Sequence, residues 1–461
     1  MGKNKRIIGF IAGIVVGVLL YFIDIPGLSP EGHKCLAFSL MTVVFWGFGI
    51  AQPGYTSSLY LILLAIFKVA DLKLIFSTWT TSMMYLIIGA YLIATAVKDS
   101  GLGERIAYWY IDKYVTNFKS IIVSIFALTF ILALLIPHPW PRAFLIMSVM
   151  AVVVKSANIP HEDAVKIGFT VFTASIPVSM IFLTGDASIN PLAAASCAPE
   201  PMGWMTWFKV MGLPMVLTSL ITMVMIMVMF KPTKEVAVNK DEIAKKRASL
   251  GAMTGIEKRT AFWVILAIIL WMTDTIHGID IGWVTLWIAV MMAMPKVGDI
   301  LTPKSWSGVP VQTLLFLTAA VAIGRVGGAT GMNTWIAQTA LPASVPENMF
   351  VLAAFITAIS IVIHMCFGSV IAVMGIVIPA MLAFTKPMGM TTVIPVMIAY
   401  TAINCHFILP FHNLAILVGC GEENGMYSEK ECIRFGVPFT AVLFILTCVI
   451  EIPWWKIIGL W

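Results

Sequence analysis

The chain has 461 residues, of which 60% are hydrophobic and only 11% charged, where an average soluble domain carries roughly 25% charge. This leaves too little polar surface for a soluble fold and describes a polytopic membrane protein. The formal net charge of +6 fits loops that face anionic lipid and gives no argument for a nucleic-acid partner. The seven cysteines, Cys35, Cys197, Cys366, Cys405, Cys420, Cys432 and Cys448, lack CxxC spacing and lie mostly in apolar runs. They suggest neither a disulfide framework nor a metal site.

Apolar runs near the ~20-residue length that a bilayer requires begin at Ile7–Ile23, behind Lys3, Lys5 and Arg6. Tyr21-Phe22-Ile23-Asp24 offers no small-residue cleavage site, so this run is expected to stay as a first span. Further spans are expected from about Cys35 to Ile50, Thr56 to Ala70 and Met83 to Val97. A stretch opening at Lys98-Asp99-Ser100-Gly101 and running to Tyr114 mixes charges with Ile106, Tyr108, Trp109 and Tyr110, the pattern of an interfacial helix. Ile121–Ile136 then runs into Pro137-His138-Pro139-Trp140-Pro141-Arg142, and Ala143–Val154 runs back. Two short arms around a proline-rich tip read as a re-entrant hairpin.

The next helix, Ala164–Leu183, is expected to break at Thr184-Gly185-Asp186 and resume past Asn190, and Trp207–Phe230 closes the first half. A second break is expected at Leu409-Pro410-Phe411-His412. Backbone freed in hydrocarbon must find a partner, because each unsatisfied group there costs several kcal/mol. Breaks at corresponding places in two half-chains therefore point to the substrate site of a secondary transporter.

Between the halves, residues 231–259 carry eight basic residues against four acidic ones, which predicts a cytoplasmic linker on the same side as the basic N-terminus. The second half repeats landmarks of the first at a nearly constant offset. Gly101-Leu102-Gly103 returns as Gly331-Met332-Asn333, Asn190 as Asn413, and Gly212-Leu213-Pro214 as Gly436-Val437-Pro438. Five spans in each copy would set the second copy upside down relative to the first. The second hairpin is then Met349–Phe384, with its tip near His364–Ser369.

The expected fold is an all-α polytopic membrane protein of about eleven transmembrane helices. It comprises a lone N-terminal helix (1–34), a first inverted repeat (35–230), the linker (231–259) and a second inverted repeat (260–461). Each repeat holds five helices, a re-entrant hairpin and a broken helix. Eleven spans place the N-terminus in the cytoplasm and the C-terminus outside, in the inner (plasma) membrane.

With these residues the chain resembles the divalent anion/sodium symporter family, carriers of dicarboxylates, citrate or sulfate, within a wider ion-transporter superfamily. The resemblance covers nearly the whole chain and includes the lone first helix, the helices opening near Gly101 and Gly331, and broken helices ending in Asn190 and Asn413. The family carries Ser-Asn-Thr at each hairpin tip and a Gly-Thr-Pro-Pro-Asn-like turn in each break. This chain reads Pro137-His138-Pro139 at the first tip and keeps only Ser369 at the second. The resemblance implies a homodimer, no cofactor, and a coupling ion that is sodium or a proton.

Ionisable residues inside a membrane mark functional sites or pairing partners. Arg142 can clasp a carboxylate or sulfate through two parallel hydrogen bonds, or it can cap the hairpin. His138 and His412 can donate to an anion, take up a proton, or hold their turns. Thr184, Asn190, Ser369 and Asn413 offer neutral donors and acceptors to a substrate, or satisfy the loops. Asp186, with Gly185 and Ser188, can hold a hard cation through oxygen, or Asp186 can cap the resuming helix. His364 and His406 are expected to bond neighbouring helices, and Arg325 to pair with an acid or add to the anion field. No catalytic constellation or metal signature is visible. The function expected is secondary active transport of a small anion, a di- or tricarboxylate, by elevator-like alternating access. A cation/proton or oxyanion transporter of the same superfamily is the alternative.

Overall fold

The computed structural model describes residues 3–197, 202–238, 240–340, 345–367 and 370–461. They form helices joined by short turns, and the β structure among them is an isolated antiparallel bridge between Asn117 and Ala237. Helices satisfy their backbone internally, which hydrocarbon demands. Among the described residues six helices are long and apolar enough to cross a membrane, and five shorter apolar helices accompany them. The protein is therefore a multi-pass membrane protein.

Local chemistry starts these helices where their first N–H groups need acceptors. Ser29, Asn117, Thr254 and Ser428 each cap a first turn with a side-chain oxygen, the last three in reciprocal capping boxes. The first helix, Lys3–Phe22, lies along Pro30–Phe48 on a stripe of glycines. A Cβ at Gly9 would stand 2.2 Å from Phe48, and one at Gly13 would stand 2.3 Å from Phe45. Small residues at this spacing let two backbones approach closely in lipid. Ile7, Ile11 and Val15 point outward and are exposed, as a lipid-facing side requires.

Helices from the two halves of the chain pack on each other: Pro53–Ile66 on Val311–Ala329, and Ser82–Ser100 on Ile281–Ala293. Tyr60, Trp46 and Phe316 share one core, and the Trp46 and Phe316 rings meet edge to face at 4.6 Å. Gly101 and Gly331 both sit at positive φ, +80° and +79°, where a side chain would be strained. Each turns the chain out of a long helix into a short one, Leu102–Tyr114 or Met332–Ala340. The linker folds over the first of these. Its helix, Asp241–Ser249, packs there, Arg247 pairs with Asp112 at 2.6 Å, and Arg105 pairs with Glu257 at 2.7 Å.

The first hairpin differs from the sequence expectation. Its arms, Phe118–Leu135 and Pro139–Ser156, have 18 residues each, and the tip is only Ile136-Pro137-His138. Pro139 and Pro141 do not break the second arm because a first turn needs no donor there. Arg142 thus belongs to a helical first turn instead of a loop. In the second hairpin, Met349–Phe367 and Val370–Thr385 flank Gly368 and Ser369; Ser369 lies outside the described residues.

Both broken helices also end earlier than expected. The first stops at Ser179, passes through a 3₁₀ turn at Leu183–Gly185 and resumes as Asn190–Ala195. The second stops at Cys405, passes through Pro410–His412 and resumes as Leu414–Gly419. Pro410 lacks an N–H and would clash with the His406 carbonyl four residues back, which disfavours a helix continuing across it. An asparagine side chain fastens each break. Asn190 donates to the carbonyls of Ser179 (2.8 Å) and Phe182 (2.9 Å), and Asn413 donates to that of Asn404 (2.9 Å).

Candidate functional site

The first hairpin tip and the first break are joined by backbone. Ala187 donates its N–H to the Pro137 carbonyl at 3.0 Å. His138 is the N-cap of the second arm, its Nδ1 accepting from the Trp140 N–H at 3.3 Å. One turn on, Arg142 is 0% exposed and reaches across the join. Its Nη1 donates to the carbonyls of Ile136 (3.1 Å) and Gly185 (3.2 Å), while Nε and Nη2 are buried with no hydrogen-bond partner among the described residues. A buried cation with unfilled donors is costly, several kcal/mol in real proteins, and guanidinium donors fit an anion's paired oxygens.

The other residues of this turn hold it in shape. Asp186 accepts at Oδ1 from the N–H groups of Ser188 (2.9 Å) and Ile189 (3.3 Å), bonds that close the turn ahead of the resuming helix, whose N-cap Ile189 has no side-chain cap. Thr184 accepts from the Trp204 indole at 3.1 Å, and the Ser188 and Tyr91 hydroxyls bond at 2.8 Å. Gly185 has no room for a side chain, since a Cβ there would lie 2.4 Å from the Ser179 carbonyl oxygen. Its own carbonyl is held by Arg142, so a cationic side chain stands where a cation would seek that oxygen.

At the second break, Asn413 caps the resuming helix by accepting from the Ala415 N–H at 2.9 Å. His412 accepts at Nδ1 from the N–H groups of Ile408 and Leu409, both at 3.1 Å. His364 and His406, which fall within apolar runs of the sequence, lie against it in one cluster. The two breaks meet directly. Tyr400, in the second broken helix, donates to the Asn190 side-chain oxygen, and the Cys405 sulfur lies 3.5 Å from that of Met180. Arg325 stands apart from both, donating to the Ser77 hydroxyl at 2.9 Å.

Sequence reasoning missed Tyr91, Trp204, Tyr400 and Glu451. Glu451 is fully buried in a π-helical turn, Leu446–Glu451, where Oε1 accepts from Thr401 at 2.6 Å and Oε2 has no partner among the described residues. An acid directly after the apolar run Leu443–Ile450 was its available signal. The tyrosines and the tryptophan carry none, because their polar reach depends on which helix they face.

A family model described as the sodium:sulfate symporter transmembrane region matches residues 4–461. The chain belongs to that family. This symporter-family chain is 25% identical to dicarboxylate transporter 1, chloroplastic, of Spinacia oleracea, over 98% of its own length and 81% of the relative's. It is 20% identical to the sodium-dependent dicarboxylate transporter SdcS of Staphylococcus saprophyticus, over 97% and 92% of the two chains. Its fold is similar to that of the solved Alcanivorax borkumensis YdaH transporter, with a TM-score of 0.52 at 12% identity, covering 99% and 97% of the two chains. The protein is a membrane transporter and not an enzyme.

Proposed function

We propose that the protein is a secondary active carrier of a small anion, a di- or tricarboxylate, working by elevator-like alternating access. The observation that carries this reading is Arg142, a wholly buried guanidinium with two unfilled donors at the meeting point of a hairpin and a break. Relatives named for dicarboxylate transport support the substrate class. Sulfate, an oxyanion with the same paired oxygens, is the second reading, favoured by the description of the family.

In this reading the substrate lies among His138, Arg142, Thr184, Asn190, Ser369, His412 and Asn413. Eleven spans form the lone first helix and two inverted repeats, 35–230 and 260–461. Both hairpins and broken helices move against the paired early helices, and the protein works as a homodimer in the plasma membrane. Uptake does not strictly require sodium, because the oxygens proposed for a cation at Gly185, Asp186 and Ser188 are engaged by Arg142, by backbone N–H groups and by Tyr91.

Counterflow in proteoliposomes loaded with malate, citrate or sulfate tests this, with choline replacing sodium in half the samples. Saturable exchange of labelled dicarboxylate in choline is the expected result. Flux without saturation would mean a channel, and counterflow of sulfate alone would move the substrate to the oxyanion. Uptake that vanishes in choline and returns steeply with sodium would overturn the coupling.

A further inference from the structure

His364, His406 and His412 come from three different segments and are 0%, 0% and 1% exposed. Their ring centroids are 5.2, 5.5 and 5.3 Å apart, pair by pair. The hydrogen bonds fix which nitrogen of each neutral ring holds the proton. His412 accepts at Nδ1 from two backbone N–H groups, so its proton is on Nε2. His364 Nε2 lies 2.9 Å from the His412 carbonyl oxygen, which can only accept, so His364 carries its proton there and keeps a lone pair on Nδ1. His406 Nδ1, 3.2 Å from that lone pair, must then be the donor. One basic lone pair in the cluster is left without a partner. It is His406 Nε2, a buried atom with no hydrogen-bond partner among the described residues.

From this arrangement we infer that His406 Nε2 is the binding site of a single proton that travels with the anion. The inference rests on the anion-carrier reading and names its coupling ion. A proton added at Nε2 breaks no existing bond, whereas one added to His364 or His412 would have to displace an N–H donor. A second proton is opposed by the first, because all three rings lie within one another's reach.

Other ionisable groups stand on the helices packed around the cluster. Tyr400 donates to Asn190, Cys405 donates to the Met180 sulfur, and Glu451 accepts at Oε1 from Thr401 while its Oε2 has no partner among the described residues. Arg434 donates to the Met229 carbonyl, and Lys456 lies over the Trp461 ring. Glu31, His33 and Lys34 stand in the first two turns of Pro30–Phe48. Cys405, which directly precedes His406, lies against Met180 at the start of the first break.

The test uses the full protein in proteoliposomes with a trapped pH-sensitive dye, the membrane potential clamped, and malate as the probe anion. Wild type should acidify the interior as labelled malate enters. His406→Gln keeps an amide donor for His364 but has no basic lone pair, so proton entry should fall at least tenfold while malate-for-malate exchange at fixed pH continues. Undiminished acidification in His406→Gln would overturn the inference. So would malate uptake by wild type with no pH change, a result that needs no folded variant. Loss of all exchange in wild type would instead refute the carrier reading.

Discussion

Replacing Arg142 by lysine separates an anion contact from a structural cap. The guanidinium spends one nitrogen, Nη1, on the Ile136 and Gly185 carbonyls and leaves Nε and Nη2 unfilled. A lysine keeps the charge but offers one nitrogen, which cannot hold those carbonyls and present a two-pronged fork at once. Loss of one charge-assisted hydrogen bond costs about 1.5–3 kcal/mol, which corresponds to a dissociation constant roughly 10- to 150-fold weaker. Arg142→Gln removes the charge as well and should nearly abolish binding and transport. The assay is equilibrium binding of labelled dicarboxylate to purified protein, paired with thermal unfolding in detergent. Unchanged affinity in both variants, with melting temperature alone reduced, would show that Arg142 only ties hairpin to break.

Asn190→Ala should lower thermal stability and stop transport, because its side chain satisfies the Ser179 and Phe182 carbonyls and receives the Tyr400 hydroxyl. Each buried group left without a partner costs about 1–3 kcal/mol, so a melting temperature equal to wild type would contradict the stapling role. For topology, a single cysteine at position 245 should resist an impermeant thiol reagent in intact cells, and one at position 461 should react. The reverse labelling pattern would invert the proposed orientation.

The sequence by itself determined the class of this protein and much of its outline. Apolar runs of bilayer length, and the glycines at which short helices open, Gly101 and Gly331, act locally, through the hydrocarbon solvent or the next turn of chain. They were legible for that reason. The existence of both breaks was legible too, because Pro410 and the paired asparagines are local devices, although the helices end at Ser179 and Cys405, earlier than the apolar runs suggest. Tertiary structure alone decided which polar atoms were left over. From sequence Arg142 could be a cap or an anion contact, and only the fold shows Nη1 on two carbonyls with Nε and Nη2 buried and without a hydrogen-bond partner among the described residues. His364 and His406 are separated by 42 residues and lay in apolar runs, so nothing in their neighbours announced that they meet. Nor could sequence select His406 Nε2, because a tautomer is set by hydrogen bonds from distant backbone, and those exist only once the hairpin and the break have packed together.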